Sequence, residues 1–201
     1  MELIRSNRRT LSITVTDNGD VIVKAPIFLS NKKIEEFVNS KQNWIKKQQE
    51  RNIKSNTLSN KYDFFNNVYL NGQCLNWQEI LKKDKRITKA SFYTKNFYDN
   101  LLKKAEKIAK DYEFKASFKL CNSKCIWGSC NSKHVIKLNW KLLILDEKLQ
   151  KYVICHELSH IKQMNHSQKF WNEVEKIDPE YKQNRKELKN FAFLLKEEVL
   201  K

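Results

Sequence analysis

Apolar and polar positions alternate through residues 11–26, on both sides of Asp17-Asn18-Gly19-Asp20. A period of two broken by a turn tetrapeptide predicts a β-hairpin. The period then changes. Ile34, Phe37, Val38, Lys41, Trp44 and Ile45 recur at helical spacing, with Ser30 or Asn31 placed as N-cap. A second strand pair is predicted over residues 62–77, turning at Asn71-Gly72, and residues 86–94 read either as a strand or as the start of the next helix. Phe97, Leu101, Leu102, Ala105, Ile108, Ala109 and Tyr112 form one apolar stripe, which predicts a helix over 96–113. Residues 116–121 and 134–145 read as strands around the turn-rich 122–133. Asp146 is placed to cap a helix that ends near Met164, Ser167 to cap another, and Pro179 separates a last one. Strands early and helices late indicate an α+β fold.

Composition narrows the class. With 201 residues, 40% hydrophobic positions, three Gly and two Pro, the chain can build a packed interior and is not linker-rich. The expected organisation is an N-terminal hairpin and helix lobe over residues 1–90 and a second domain over 91–201. Residues 51–61 are the one stretch with the composition of disorder. Neither an apolar leader region near residue 1 nor a run of eighteen apolar residues is present, so the expectation is a cytoplasmic protein without a membrane span. Five cysteines without framework spacing are expected to remain thiols there.

The net charge of +16 raises nucleic acid as a partner. Residues 1–89 and 90–201 each carry +8, however, so the excess is diffuse and forms no basic stripe.

Residues 156–160 read His-Glu-Leu-Ser-His. On a helix advancing about 100° per residue, His156 and His160 lie one turn apart on one face and can point at one ion, with Glu157 beside them. This HExxH arrangement suits metal-assisted hydrolysis: two neutral imidazoles hold the cation, and the carboxylate takes a proton from water. His166 lies ten residues after His156. On a continuous helix it would be carried about 15 Å along the axis, so it reaches the same ion only if the helix stops. Met164-Asn165 offers that stop, since Asn tolerates the left-handed conformation that ends helices. Glu173, Glu175 and His134 are rival third ligands, and His166 is favoured because three imidazoles plus water make a catalytic zinc site. Cys121, Cys125 and Cys130 lack the spacing of a structural metal site.

The stretch from Trp127 to Lys189 resembles the YgjP-like metallopeptidases, relatives of the SprT-like zinc proteases. The resemblance rests on Trp127-Gly128-Ser129-Cys130, Leu138-Asn139-Trp140, residues 152–160, Asn165-His166-Ser167 with Phe170-Trp171, and Pro179 to Lys182. The opening residues 5–26 and 34–45 are similar as well. The resemblance implies a zincin-like catalytic domain with a small N-terminal β-rich lobe, one zinc per chain on His156, His160 and His166, and Glu157 as catalytic base. Residues 134–140 are the expected edge strand for an extended peptide, with Trp127, Ser129 and Asn139 as candidate substrate contacts. Ile126 stands where the family usually has Arg.

The leading expectation is a zinc-dependent endopeptidase acting on polypeptides. Two others compete: a metal-dependent nucleoside triphosphate pyrophosphohydrolase, in which water attacks phosphorus, and a basic DNA-associated module in which zinc is structural.

Overall fold

In the computed structural model, which describes residues 1–200 apart from the side chains at 95 and 96, the first hairpin forms as expected. Strands β2 (Ser12–Val15) and β3 (Val21–Pro26) pair antiparallel around Gly19, whose φ of 88° suits a residue without Cβ. A strand the periodicity did not reveal, β1 (Glu2–Ser6), pairs parallel on the other side of β3. All five of its side chains are exposed, so main-chain pairing places it and no alternation marks it. The expected single helix is two, α1 (Asn31–Ser40) and α2 (Gln42–Ser59), broken at Lys41. Ser30 is the N-cap, its Oγ accepting from the Lys33 amide. Val23, Ala25, Ile34, Val38 and Ile45 form the small core between sheet and helices.

Helix α2 also runs through most of the polar stretch 51–61. Gln49, Asn52 and Asn56 donate side-chain amides to the Gly19, Thr16 and Asp17 carbonyls at 2.8, 2.6 and 3.0 Å. Amide side chains thus fasten to the hairpin turn a helix with little apolar surface.

The chain divides into two units, Met1–Lys61 and Tyr62–Lys201. The division therefore falls at residue 61, where the sequence suggested 90. Aromatic packing explains the difference. Tyr62 lies 4.4 Å from Tyr69 and 5.6 Å from Phe193, ring centre to ring centre, and Phe64 and Trp77 join the same core.

The second unit opens with the hairpin of β4 (Asn67–Leu70) and β5 (Gln73–Asn76). It turns at Asn71 and Gly72, both at positive φ, and a Cβ on Gly72 would collide with Asp146. Helices α3 (Trp77–Lys83), α4 (Lys89–Asn96) and α5 (Tyr98–Asp111) follow. The ambiguity at 86–94 resolves as helix because Thr88 and Ser91 form a reciprocal cap.

Strands β6 (Ser117–Cys121), β7 (Gly128–Cys130) and β8 (Val135–Asn139) make a sheet in the order β6-β8-β7, with β6 parallel and β7 antiparallel to β8. This corrects an expectation, since β8 is the central strand and not an edge. Its Ile136, Leu138 and Asn139 are buried, so the stretch 134–140 has no free side for a peptide, and β7 is an edge instead. After Asn139 the chain enters a buried 3-10 turn over Trp140–Ile144, where a continuing strand was expected. The helices α6 (Glu147–Ser159), α7 (Gln168–Ile177), α8 (Tyr181–Leu188) and α9 (Phe193–Lys196) complete the unit. The fold is α+β. Among the described residues no helix is long and apolar enough to cross a membrane.

Tyr93 pins the hairpin to this core. Its hydroxyl donates to the Tyr69 carbonyl at 2.8 Å and accepts from the Tyr69 amide at 3.1 Å, with the ring fully buried. Tyr93→Phe removes both of these hydrogen bonds from a buried site and is expected to cost about 1–3 kcal/mol, read as a lower urea midpoint with an unchanged slope.

Candidate metal centre

Helix α6 carries His156 and Glu157 on a segment whose Tyr152, Val153, Ile154, Cys155, Leu158 and Ser159 are buried. The helix stops at Ser159, with His160 as its C-cap. Its last turn tightens: the His160, Ile161 and Lys162 amides bond to the carbonyls three residues back, at 3.2, 3.0 and 3.2 Å. The stop thus comes earlier than Met164 and by another device, since Asn165 is not at positive φ. Ser167 is the N-cap of α7 in position, though its side chain makes no capping hydrogen bond.

The reversal brings His166 back onto His156, with their Nε2 atoms 3.1 Å apart. One nitrogen from each of His156, His160 and His166 lies within 4.8 Å of the others. Phe170, fully buried at the start of α7, lies beneath all three imidazoles at ring-centre distances of 4.9, 4.5 and 4.8 Å. The donor set fits a divalent ion. Two nitrogens on a tetrahedral ion at zinc-nitrogen length would be about 3.3 Å apart, close to the Nε2 separation seen. His160 Nδ1 sits 3.1 Å from the Gln163 carbonyl; if it carries the proton, Nε2 is left as the free lone pair. His156 Nδ1 is buried without a partner. Burial first, then the positive fields of His160, His166 and Arg185, push the His156 pKa down to about 3, so this ring is neutral across the physiological range.

Glu157 is buried, 6% exposed. Desolvation raises its pKa to about 8. Its side chain lies against β7: a Cβ built on Gly128 would be 2.7 Å from Glu157 Cγ and 2.9 Å from Oε1. Only glycine lets the strand come this close. Sequence reasoning marked Trp127, Ser129 and Asn139 but missed Gly128, although it lies in the quoted motif.

The other candidates are placed as follows. Asn139 is fully buried, donating to the Ser123 and Ile126 carbonyls and accepting from the Lys141 amide. Its side chain holds the loop before β7 and, fully buried, is closed off from substrate. Trp127 is half-buried against the core. Ser129 pairs with Lys137, and its side chain projects to the sheet face opposite the Glu157 side of Gly128. Glu173 is occupied by Lys162 and Lys176, and Glu175 by Lys182. His134 lies in the turn before β8 at φ 55°, and neither it nor the cysteines join a metal-holding group among the described residues.

A model of the YgjP-like metallopeptidase domain matches residues 9–110 and 78–191. The chain belongs to the YgjP-like family. It is a metallopeptidase, and hence a hydrolase, with polypeptide as substrate class. No curated protein matches the chain in sequence. Two solved structures are similar in part. The metallopeptidase zymogen abylysin of Pyrococcus abyssi is 30% identical over 45% of this chain and 90% of its own, with a TM-score of 0.38. The metallopeptidase zymogen jannalysin of Methanocaldococcus jannaschii is 25% identical over 44% of this chain and 92% of its own, with a TM-score of 0.39. At TM-scores this low the superpositions carry no argument about the YgjP-like fold.

Two predictions follow from the packing of Glu157. Gly128→Ala is expected to cost about 1–3 kcal/mol of stability by overpacking. Adding Glu157→Ala, which deletes the atoms the new methyl meets, recovers most of that loss in a double-mutant cycle of urea midpoints. The second concerns pH. In metal-free protein the folded carboxyl titrates near 8 and the unfolded one near about 4.3, so the folded state holds the extra proton between them. Stability contributed by this group therefore falls as pH rises through that window. Chelator-treated Glu157→Gln is expected to gain on wild type steadily from pH 5 to pH 8.

Proposed function

We propose that this YgjP-like chain is a zinc-dependent endopeptidase in which His156, His160 and His166 hold one ion and Glu157 is the general base. The observation that carries the reading is the juxtaposition of the Glu157 carboxyl with Gly128, in an edge strand that among the described residues pairs with a strand on one side only. Residues 127 and 131 bond to β8 through Asn139 N to Trp127 O at 2.8 Å and Asn131 N to Val135 O at 3.2 Å. By antiparallel alternation, the main-chain groups of Gly128 and Cys130 point away from β8. An extended peptide adding there pairs with those groups, and its carbonyl carbon comes to rest beside Glu157. Trp127, half-exposed at the start of β7, is the side chain proposed to line that path, while Ser129 sets the register of β7 on β8.

When bound, zinc supplies Lewis acidity toward the peptide carbonyl and acidification of water. The chain's own groups do the rest. Glu157 accepts the proton of the attacking water and returns it to the leaving amine. Neutral His156 keeps a lone pair available, and a proton on His160 Nδ1 toward the Gln163 carbonyl would leave its Nε2 lone pair for the ion. The apolar seat on Phe170 holds the three rings together.

The test uses zinc-loaded protein, unfolded casein and a peptide blocked at both ends, each with and without chelator, beside nucleoside triphosphates. Cleavage of the blocked peptide, abolished by chelation, is expected. Glu157→Gln is expected to keep about one zinc per chain and lose at least a hundredfold in kcat/KM. Each His→Ala variant is expected to bind zinc more weakly while still loading at millimolar zinc. Hydrolysis of triphosphates with no peptide cleaved would replace this reading with the phosphohydrolase.

A further inference from the structure

Beside the histidine cluster lies a cavity of about 270 Å3 lined by Gln168, Trp171, Tyr181, Lys182 and Arg185. Trp171 and Tyr181 form its aromatic wall, with ring centres 5.5 Å apart and planes 11° apart. The Arg185 Cζ sits 4.3 Å from the Trp171 ring centre. That same indole stacks on His166 at 5.7 Å and lies 5.8 Å from His156. One side chain therefore separates the guanidinium from the His156 and His166 imidazoles.

Arg185 is exposed, and no carboxylate among the described residues comes within ion-pair distance of it. The carboxylates nearby are used elsewhere: Glu175 faces Lys182 at 3.7 Å, and Asp178 accepts from Asn184 at 3.0 Å. Gln168 spends one amide hydrogen on Asn172 at 2.8 Å, which leaves the other. An indole fixes the position of a guanidinium while leaving its in-plane donors free, and those donors match a planar carboxylate. A cavity of this size falls just below the range of whole-ligand pockets, about 300–1,000 Å3. It suits one side chain or chain end of a larger substrate.

We propose that this cavity is a subsite for a carboxylate on the peptide substrate, read by Arg185 with Lys182 against the Trp171–Tyr181 wall. The proposal rests on the peptidase reading above and adds a preference to it. The carboxylate has two sources, an acidic side chain near the cleaved bond or the free carboxyl terminus of a short peptide.

The experiment measures binding and cleavage separately. Zinc-loaded Glu157→Gln protein is titrated calorimetrically with peptides carrying Glu or Gln at each position flanking the cleaved bond. Each is made with a free and an amidated C-terminus. Wild type is assayed for kcat and KM on the same set. At one position, or at the free terminus, the carboxylate form is expected to bind about tenfold more tightly, and the difference appears in KM. Arg185→Gln abolishes that preference, read as the ratio of Glu-peptide to Gln-peptide affinity within each protein, and Arg185→Lys restores it in part. Equal binding of all forms, or a preference that survives Arg185→Gln, overturns the subsite. Zinc-loaded wild type that cleaves neutral peptides without preference sinks the subsite alone. If no peptide is cleaved, the peptidase reading fails, and the calorimetric comparison still decides whether Arg185 reads a carboxylate.

Discussion

The site depends on where α6 ends. One more turn of α-helix would carry the following residues along the axis and away from the face that holds His156 and His160. Instead the His160, Ile161 and Lys162 amides bond three residues back, and His160 Nδ1 faces the Gln163 carbonyl at 3.1 Å. That contact couples the turn to the site, since the same carbonyl that helps close the reversal orients an imidazole. Buried Phe170 then receives all three rings. The returning His166 is itself exposed, so its place is set by the turn before it and the aromatic seat below it rather than by burial.

A second constraint acts on the carboxylate. Desolvation is what raises the Glu157 pKa in the metal-free protein, and no ion pair reaches it among the described residues. Gly128 in β7 lies directly against the side chain. The close approach brings a sheet edge beside the carboxyl, so one glycine serves both the acid-base group and the path proposed for substrate. Asn139 supports this from behind, with its amide holding the Ser123 and Ile126 carbonyls of the loop that leads into β7.

Much of this was legible in the sequence, and the reasons differ by element. Side-chain periodicity and turn chemistry revealed both hairpins and the helix α5, because alternation and apolar stripes are direct records of which face is buried. The three-histidine cluster was legible from spacing plus the requirement for a helix stop, although the stop uses tightened hydrogen bonds and not Asn165. What escaped had no side-chain signature. Strand β1 is held by main-chain pairing with every side chain exposed, and β7 is three residues in a turn-rich stretch. The order β6-β8-β7 is a long-range choice, so β8 was mistaken for an edge and Asn139 for a substrate contact. The domain division was misplaced because the aromatic side chains of Tyr62, Phe64 and Trp77 pack with residues far along the chain.

The central claim is that one ion is shared by His156, His160 and His166. X-ray absorption on the zinc-loaded protein tests it most directly. The account predicts a four-coordinate site with three nitrogen donors and one oxygen at about 2.0–2.1 Å, losing one nitrogen in His166→Ala. Sulfur donors at about 2.3 Å, or a nitrogen count unchanged by His166→Ala, would contradict it.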